Sequence, residues 1–215
     1  MSETVKEGMM IILTTFIFTI LFIGGIYYLI RNLVNLKSAA DLSADALYPV
    51  KENEFASIII PNEWKQMEPL TKNTKSYRYV KWGTLAALVL LSILLVMVLT
   101  TDWLGSSYFS LAYLFFVIIN SIRHRGNFFI LEKGIILNGR FVPFNQIKHS
   151  ETEQIVRWHA LYGLDSKVNN AFKLTIKLKR TLFQPQFLVV ENAAQLEQIS
   201  ALFHQKGVNF ESKSA

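Results

Sequence analysis

The stretch Gly83–Ile122, GTLAALVLLSILLVMVLTTDWLGSSYFSLAYLFFVIINSI, decides the fold, because Asp102 is the one Asp, Glu, Lys or Arg in it. A helix rising about 1.5 Å per residue needs about 20 apolar residues to cross a hydrocarbon layer about 30 Å thick. Residues 83–101 and 103–122 each meet that length. With only Asp102 between them, they read as an antiparallel transmembrane hairpin with a minimal turn. Upstream, residues 8–30 form another run without a formal charge. The MSETVKE that precedes it is net negative, its apolar run exceeds the ~7 to 15 residues of a signal-peptide core, and no A-x-A site follows, so it reads as a retained anchor.

Composition agrees with three spans. The 215 residues are 51% hydrophobic and 18% charged, below the roughly 25% usual in soluble domains. The absence of cysteine excludes a disulfide framework, thiolate metal sites and thiol nucleophiles. Orientation follows from the cations, which are retained on the cytoplasmic side near span ends. Residues 31–82 carry Arg31, Lys37, Lys51, Lys65, Lys72, Lys75, Arg78 and Lys81, and Arg123 and Arg125 follow the last span at once. The expected topology is that of a multi-pass bacterial inner-membrane protein with its N-terminus outside and its tail in the cytoplasm. The expected parts are 1–30 with a span at 8–30, a cytoplasmic segment 31–82, a hairpin 83–122 and a cytoplasmic domain 123–215.

The spans contain no ionisable group of the kind that lines a transport pathway. Their polar members, among them Thr14, Thr19, Ser92, Ser106, Ser110 and Asn120, read as packing residues that can bond their own helix carbonyls. The pairs Gly24-Gly25, Gly83/Ala87 and Ser106/Ser110 have spacings that permit close helix approach. Between spans one and two, Leu33, Leu36, Ala40 and Leu47 predict an amphipathic continuation of the first helix, stopped by Pro49. Phe55–Ile60 then reads as one short strand that must join a sheet elsewhere or pair with a partner. Just before residue 83, KNTKSYRYVKW sets Lys72, Lys75, Arg78 and Lys81 among Tyr77, Tyr79 and Trp82. Such a segment determines topology and also suits anionic lipid headgroups, at about 1 kcal/mol per cation. Nucleic acid could use the same chemistry, but the position immediately beside a span favours topology determination as the explanation.

Beyond Arg123 the apolar runs give way to alternation with turn residues, the pattern of an antiparallel β domain. Strands are expected at 127–131, at IILNG with an Asn138-Gly139 hairpin turn, and at RFVPF, where Pro143 implies an edge or a bulge. NQIKHSETEQIVRWHALYG reads as one bent strand or two short ones ending at Gly163. Residues 172–179 alternate Phe172, Leu174, Ile176 and Leu178 with Lys173, Thr175, Lys177 and Lys179, so one face is core and the other solvent or membrane. Residues 187–190 form a buried strand. A closing helix is capped by Asn192, with Gln195 as the reciprocal partner, carries the stripe Leu196, Ile199, Leu202 and Phe203, and stops at Gly207.

The segments FFILEKGIILNGRFVPFNQIK and FLVVENAAQLEQISALFHQKGV, within Ile119–Phe210, resemble the pleckstrin-homology-like domains of bacterial membrane proteins, in which a helical hairpin feeds into such a domain. The resemblance implies a PH-like antiparallel β-barrel or sandwich capped by a C-terminal α-helix, and a docking role rather than a chemistry. The short Glu132-Lys133-Gly134 loop does not provide the basic loop with which members of the wider superfamily bind phosphoinositides. The expected fold class is thus an α+β membrane protein with three transmembrane helices and this cytoplasmic domain.

Candidate chemistry is sparse. His124, His149, His159 and His204 form no HExxH and no zinc spacing, and read as surface or capping residues. Glu151 and Glu153 point the same way on a strand and read as solvated. No cofactor, metal or catalytic residue is expected, and an enzyme would require a polar cleft holding His149 or His159. Residues 122–215 hold 13 Lys and Arg against seven Asp and Glu. Lys173, Lys177, Lys179 and Arg180 are therefore candidate lipid-headgroup contacts together with Lys72, Lys75, Arg78 and Lys81, or else a positive-inside excess that keeps the domain cytoplasmic, a Lys-rich strand face also being a common defence against edge aggregation. The expected partners are membrane lipid and a membrane protein or a second copy of the chain. The leading expectation is a non-catalytic docking platform; the alternative is a membrane immunity or accessory protein that neutralises a toxin or regulates a transporter.

Overall fold

The structure, a computed structural model, describes residues 3–61, 64–100, 108–122, 126–179 and 186–213. The architecture is mixed α+β and divides into two compact units, Met1–Asn35 with Lys75–His124, and Leu36–Thr74 with Arg125–Ala215.

The first unit is helical. Helix α1 (Glu3–Leu42) runs on past residue 30 and ends in a 3-10 turn, Ser43–Asp45, ahead of Pro49. The next long helix, Lys75–Thr100, begins well before Gly83, because KSYRYVKW contains no glycine or proline to break it. Two stretches are long and apolar enough to cross a membrane: Ile12–Asp45, mean hydropathy 2.0, and Lys75–Met97, mean hydropathy 2.2. Ile12, Phe16, Ile20, Ile23 and Tyr27 leave an apolar stripe exposed along α1, which an apolar surrounding would stabilise. The expected third span, residues 103–122, lies partly outside the described residues; its described part is the helix Tyr108–Ser121. Two polar side chains bond carbonyls of their own helices, Thr19 Oγ1 donating to Thr15 (2.8 Å) and Asn120 Nδ2 to Phe116 (2.9 Å), whereas Asn32 Nδ2 and Thr84 Oγ1 are buried without a hydrogen-bond partner among the described residues. Of the glycine pair, Gly25 is buried, and a Cβ there would lie 1.9 Å from the Phe115 ring, whereas Gly24 faces open space.

The second unit is the sheet domain. Helix α2 is the short Glu52–Ala56 helix, so Phe55 and Ala56, expected in a strand, are helical; Glu54 Oε2 draws in the N–H groups of Val50 (2.6 Å) and Lys51 (3.1 Å) and fixes that turn. Strand β1 (Ile58–Ile60) pairs with β2 (Lys65–Gln66). In chain order, α3 is Lys75–Thr100 and α4 is Tyr108–Ser121. They are followed by β3 (Phe128–Ile130), β4 (Gly134–Leu137), β5 (Arg140–Pro143), β6 (Ile147–Gln154), β7 (Phe172–Leu178), β8 (Gln186–Val190), α5 (Ala193–Gln205) and β9 (Phe210–Lys213).

A small sheet has the order β3-β4-β5, and a larger one the order β2-β1-β8-β7-β6-β9. Asn138 and Gly139 both take positive φ (50° and 74°) in the β4–β5 turn, and Pro143 ends the edge strand β5. Strands β3 and β4 are buried on both faces: Phe128 meets Phe203 of α5 and Phe129 meets Phe55 of α2, with edge-on rings 6.3 Å and 5.9 Å apart. In α5, Asn192 Oδ1 accepts the Ala194 N–H (2.9 Å) as its cap. Gln195 does not complete a capping box; its Oε1 accepts the hydroxyl of the fully buried Tyr48 (2.8 Å), whose pKa burial pushes up to about 12. The helix ends as Gly207 N–H bonds His204 (3.0 Å) and Val208 N–H bonds Phe203 (2.9 Å).

Two further features depart from the sequence expectations. Chain beyond α5 returns as β9, parallel to β6, so the helix does not close the domain. The second half of NQIKHSETEQIVRWHALYG is not a strand: β6 ends at Gln154, and successive turns carry the chain to Phe172. His159 N–H bonds Val156 (2.8 Å) and Tyr162 N–H bonds His159 (2.9 Å), while Ile155, Val168 and Ala171 turn inward. Burying those three apolar side chains against Ile59 and Val189 wins over continued strand pairing.

Candidate functional site

The outer face of the larger sheet changes character across its strands. Directly opposed residues share a face, so the pairs His149/Lys177, Glu151/Thr175 and Glu153/Lys173 of β6 and β7 lie on one side. Parallel β9 adds Glu211 beside Glu151 and Lys213 beside Glu153. On the other flank, Phe187 and Val189 of β8 oppose Thr175 and Lys173, and Ile59 of β1 opposes Val189. The face is thus ionic over β9, β6 and β7 and apolar over β8 and β1. The turns of residues 155–171 cover the apolar half, where Trp64, Leu161, Tyr162 and Phe187 pack around Ile59, Ile155, Val168 and Val189.

Glu151 anchors the ionic half. Its residue is 8% exposed, and its carboxylate accepts from Lys177 Nζ, from Lys213 Nζ (2.8 Å) and from His149 Nε2 (2.7 Å). The Lys177 and Lys213 bonds, helped by His149, outweigh desolvation and hold its pKa at about 2. Glu153 receives Lys173 Nζ (3.3 Å) and His159 Nε2 (3.4 Å). Burial pushes the Glu153 carboxyl up, but Lys173 and then His159 reverse the balance and lower it. The His159 ring is set by a second contact, in which Nδ1 accepts the Leu161 N–H (3.0 Å); the proton of the neutral ring therefore sits on Nε2, facing Glu153. The two carboxylates expected to be solvated are ion-paired, because strand pairing places a lysine from each neighbouring strand beside them.

A cleft of about 450 Å³ opens where the ionic and apolar halves meet. Glu153, His159 and Lys173 form its polar end, and Val156, Leu161 and Phe187 its apolar wall. Lys173 Nζ also lies 5.6 Å from the centre of the Phe187 ring. Trp158 stands at the rim, 79% exposed. Glu153, His159 and Lys173 are already held in mutual contacts, and Trp158 presents the large exposed surface, so the cleft offers an apolar wall bordered by paired polar groups. His149, Glu151 and Glu211 could offer metal-ligand atoms within 4.8 Å of one another. Lys177 and Lys213 already pair with one Glu151 oxygen each, so a divalent cation there would compete with a lysine.

The expected headgroup contacts separate into distinct settings. Lys173 and Lys177 are committed to Glu153 and Glu151, Lys179 is exposed just beyond β7, and Arg180 lies outside the described residues. Lys72 pairs with Asp41. Lys75, Arg78 and Lys81 are exposed on α3. Trp158, Glu211 and Lys213 were not singled out by the sequence; the available signals were a tryptophan in a turn-rich segment and the short alternation Phe210–Lys213. Compared with protein-family models, curated proteins and solved structures, the chain matches none.

Proposed function

We propose that this chain is a non-catalytic integral membrane protein whose helices hold a PH-like domain at the cytoplasmic face as a docking platform for a membrane-protein partner. In this reading α1, α3 and α4 are three spans, with the N-terminus outside. The observation that carries the docking role is Trp158, 79% exposed at the rim of a cleft with an apolar wall and a polar end. Exposed tryptophans beside a pocket are the residue type that dominates binding energy at protein interfaces. Ionic saturation of Glu151 and Glu153 supports recognition over proton transfer, since carboxylates held below their ordinary range stay ionised near neutrality. The partner segment that suits the cleft places an apolar side chain against Phe187 and Leu161.

The test is a photo-crosslinking residue at position 158 of the full chain in native membranes, with the same residue at exposed Ala201 as control. The proposal expects an adduct of one defined mass at 158, absent at 201. No adduct at 158, or equal adducts at both sites, overturns it.

A further inference from the structure

We infer that the N-terminal turns of α3 form a binding site for the phosphodiester headgroup of an anionic glycerophospholipid. The inference rests on the reading of α3 as a span. Lys75, Arg78, Tyr79, Trp82 and Gly83 line a shallow concavity of about 430 Å³. The first four fall at i, i+3, i+4 and i+7, which at 3.6 residues per turn confines them to an arc of about 100° over about 10 Å of helix. Two cations and two aromatic rings therefore share one face.

Burial and pairing single these residues out from their neighbours. Tyr79 and Trp82 are 64% and 60% exposed although both are large and aromatic. Among the described residues, neither Lys75 nor Arg78 has a carboxylate within ion-pair distance. Lys72, by contrast, is neutralised by Asp41, and Lys81 lies off the arc with its Nζ 5.5 Å from the Trp82 ring centre. Charge and depth together specify the occupant. The cationic end lies toward the start of the helix, and Trp82 adjoins the apolar run from Gly83 to Thr100. A soluble anion would satisfy Lys75 and Arg78 but leave the rings bare. An anionic phospholipid satisfies all four, with its phosphate on the cations, its glycerol beside Tyr79 and Trp82, and its acyl chains along the span. The arginine can hold phosphate oxygens through two parallel N–H groups, which a point charge cannot.

The experiment is native mass spectrometry of the full chain in mild detergent, offered phosphatidylglycerol and phosphatidylcholine in equal amounts with the same acyl chains. The native chain should retain phosphatidylglycerol in preference by about tenfold or more, since each cation near a headgroup is worth about a factor of five. Lys75→Gln with Arg78→Gln should bring the two lipids to near equality, whereas Lys72→Gln, which removes a cation already paired with Asp41, should leave the preference in place. Equal retention by the native chain, or a preference that survives Lys75→Gln with Arg78→Gln, overturns the site. Extraction of membranes at alkaline pH separates the two readings: a chain released into the supernatant refutes the span itself, and a chain that stays in the pellet without lipid preference refutes only the headgroup site.

Discussion

Among the described residues, Glu151 is where most charge is committed to one place, with cations reaching it from β7 and β9 and a histidine from its own strand. Its folded pKa of about 2 lies below the ordinary 4.5, so the carboxylate adds stability that is complete above about pH 4.5 and is lost as pH falls toward 2. Glu151→Gln should lower stability at pH 7 by about 1–3 kcal/mol, because Lys177 and Lys213 keep partial access to water and can be resolvated. Thermal unfolding of the detergent-solubilised chain at pH 7 and pH 2.5 checks this: the gap between native and variant is expected to narrow at the lower pH. Equal stability at pH 7 would show that the cluster contributes nothing. Glu151 and Glu153 could be placed on one strand face from sequence alone, but Lys213 could not be brought to them, because parallel β9 pairing is a long-range event with only four residues to announce it.

At the scale of elements, α1 and α4 meet through Gly25, over which the Phe115 ring lies, while Phe22 stacks beside that ring at 5.1 Å. Gly25→Val should force the ring aside and cost about 1–3 kcal/mol, whereas Gly24→Ala should leave stability nearly unchanged. Comparing midpoints of thermal unfolding for the two variants tests the contact, and equal midpoints would contradict it. The glycine pair was visible in the sequence, but which member touches a neighbour depends on helix rotation, which an all-round apolar pattern does not encode. Where a face was marked by contrast, sequence and structure agree: Leu174 and Ile176 are buried while Lys173, Thr175 and Lys177 are not, and Asn192 caps α5. Contrast misled in two places. Ile155 continued the strand pattern yet turned into a core of its own, and Phe55 read with the isoleucines of β1 yet folded into α2. In both, burial of an aromatic or β-branched side chain against a distant partner overrode local propensity.

For the whole molecule, two apolar helices and a mixed sheet domain coexist in one chain, and most of the lysine and arginine lies outside the apolar runs. That division follows from length and charge alone, which is why it was legible without any structure. The cleft at Trp158 was not, since it exists only where the turns of residues 155–171 fold over the boundary between an ionic and an apolar half-face. The proposed docking and headgroup sites serve one purpose if the sheet domain faces the same compartment as the anionic leaflet. The absence of cysteine makes that claim directly measurable through a single introduced thiol. With Ala201→Cys, exposed on α5, a membrane-impermeant maleimide should label the chain only after cells are opened. Labelling of Ala201→Cys in intact cells to the same extent would place the domain outside and contradict the account.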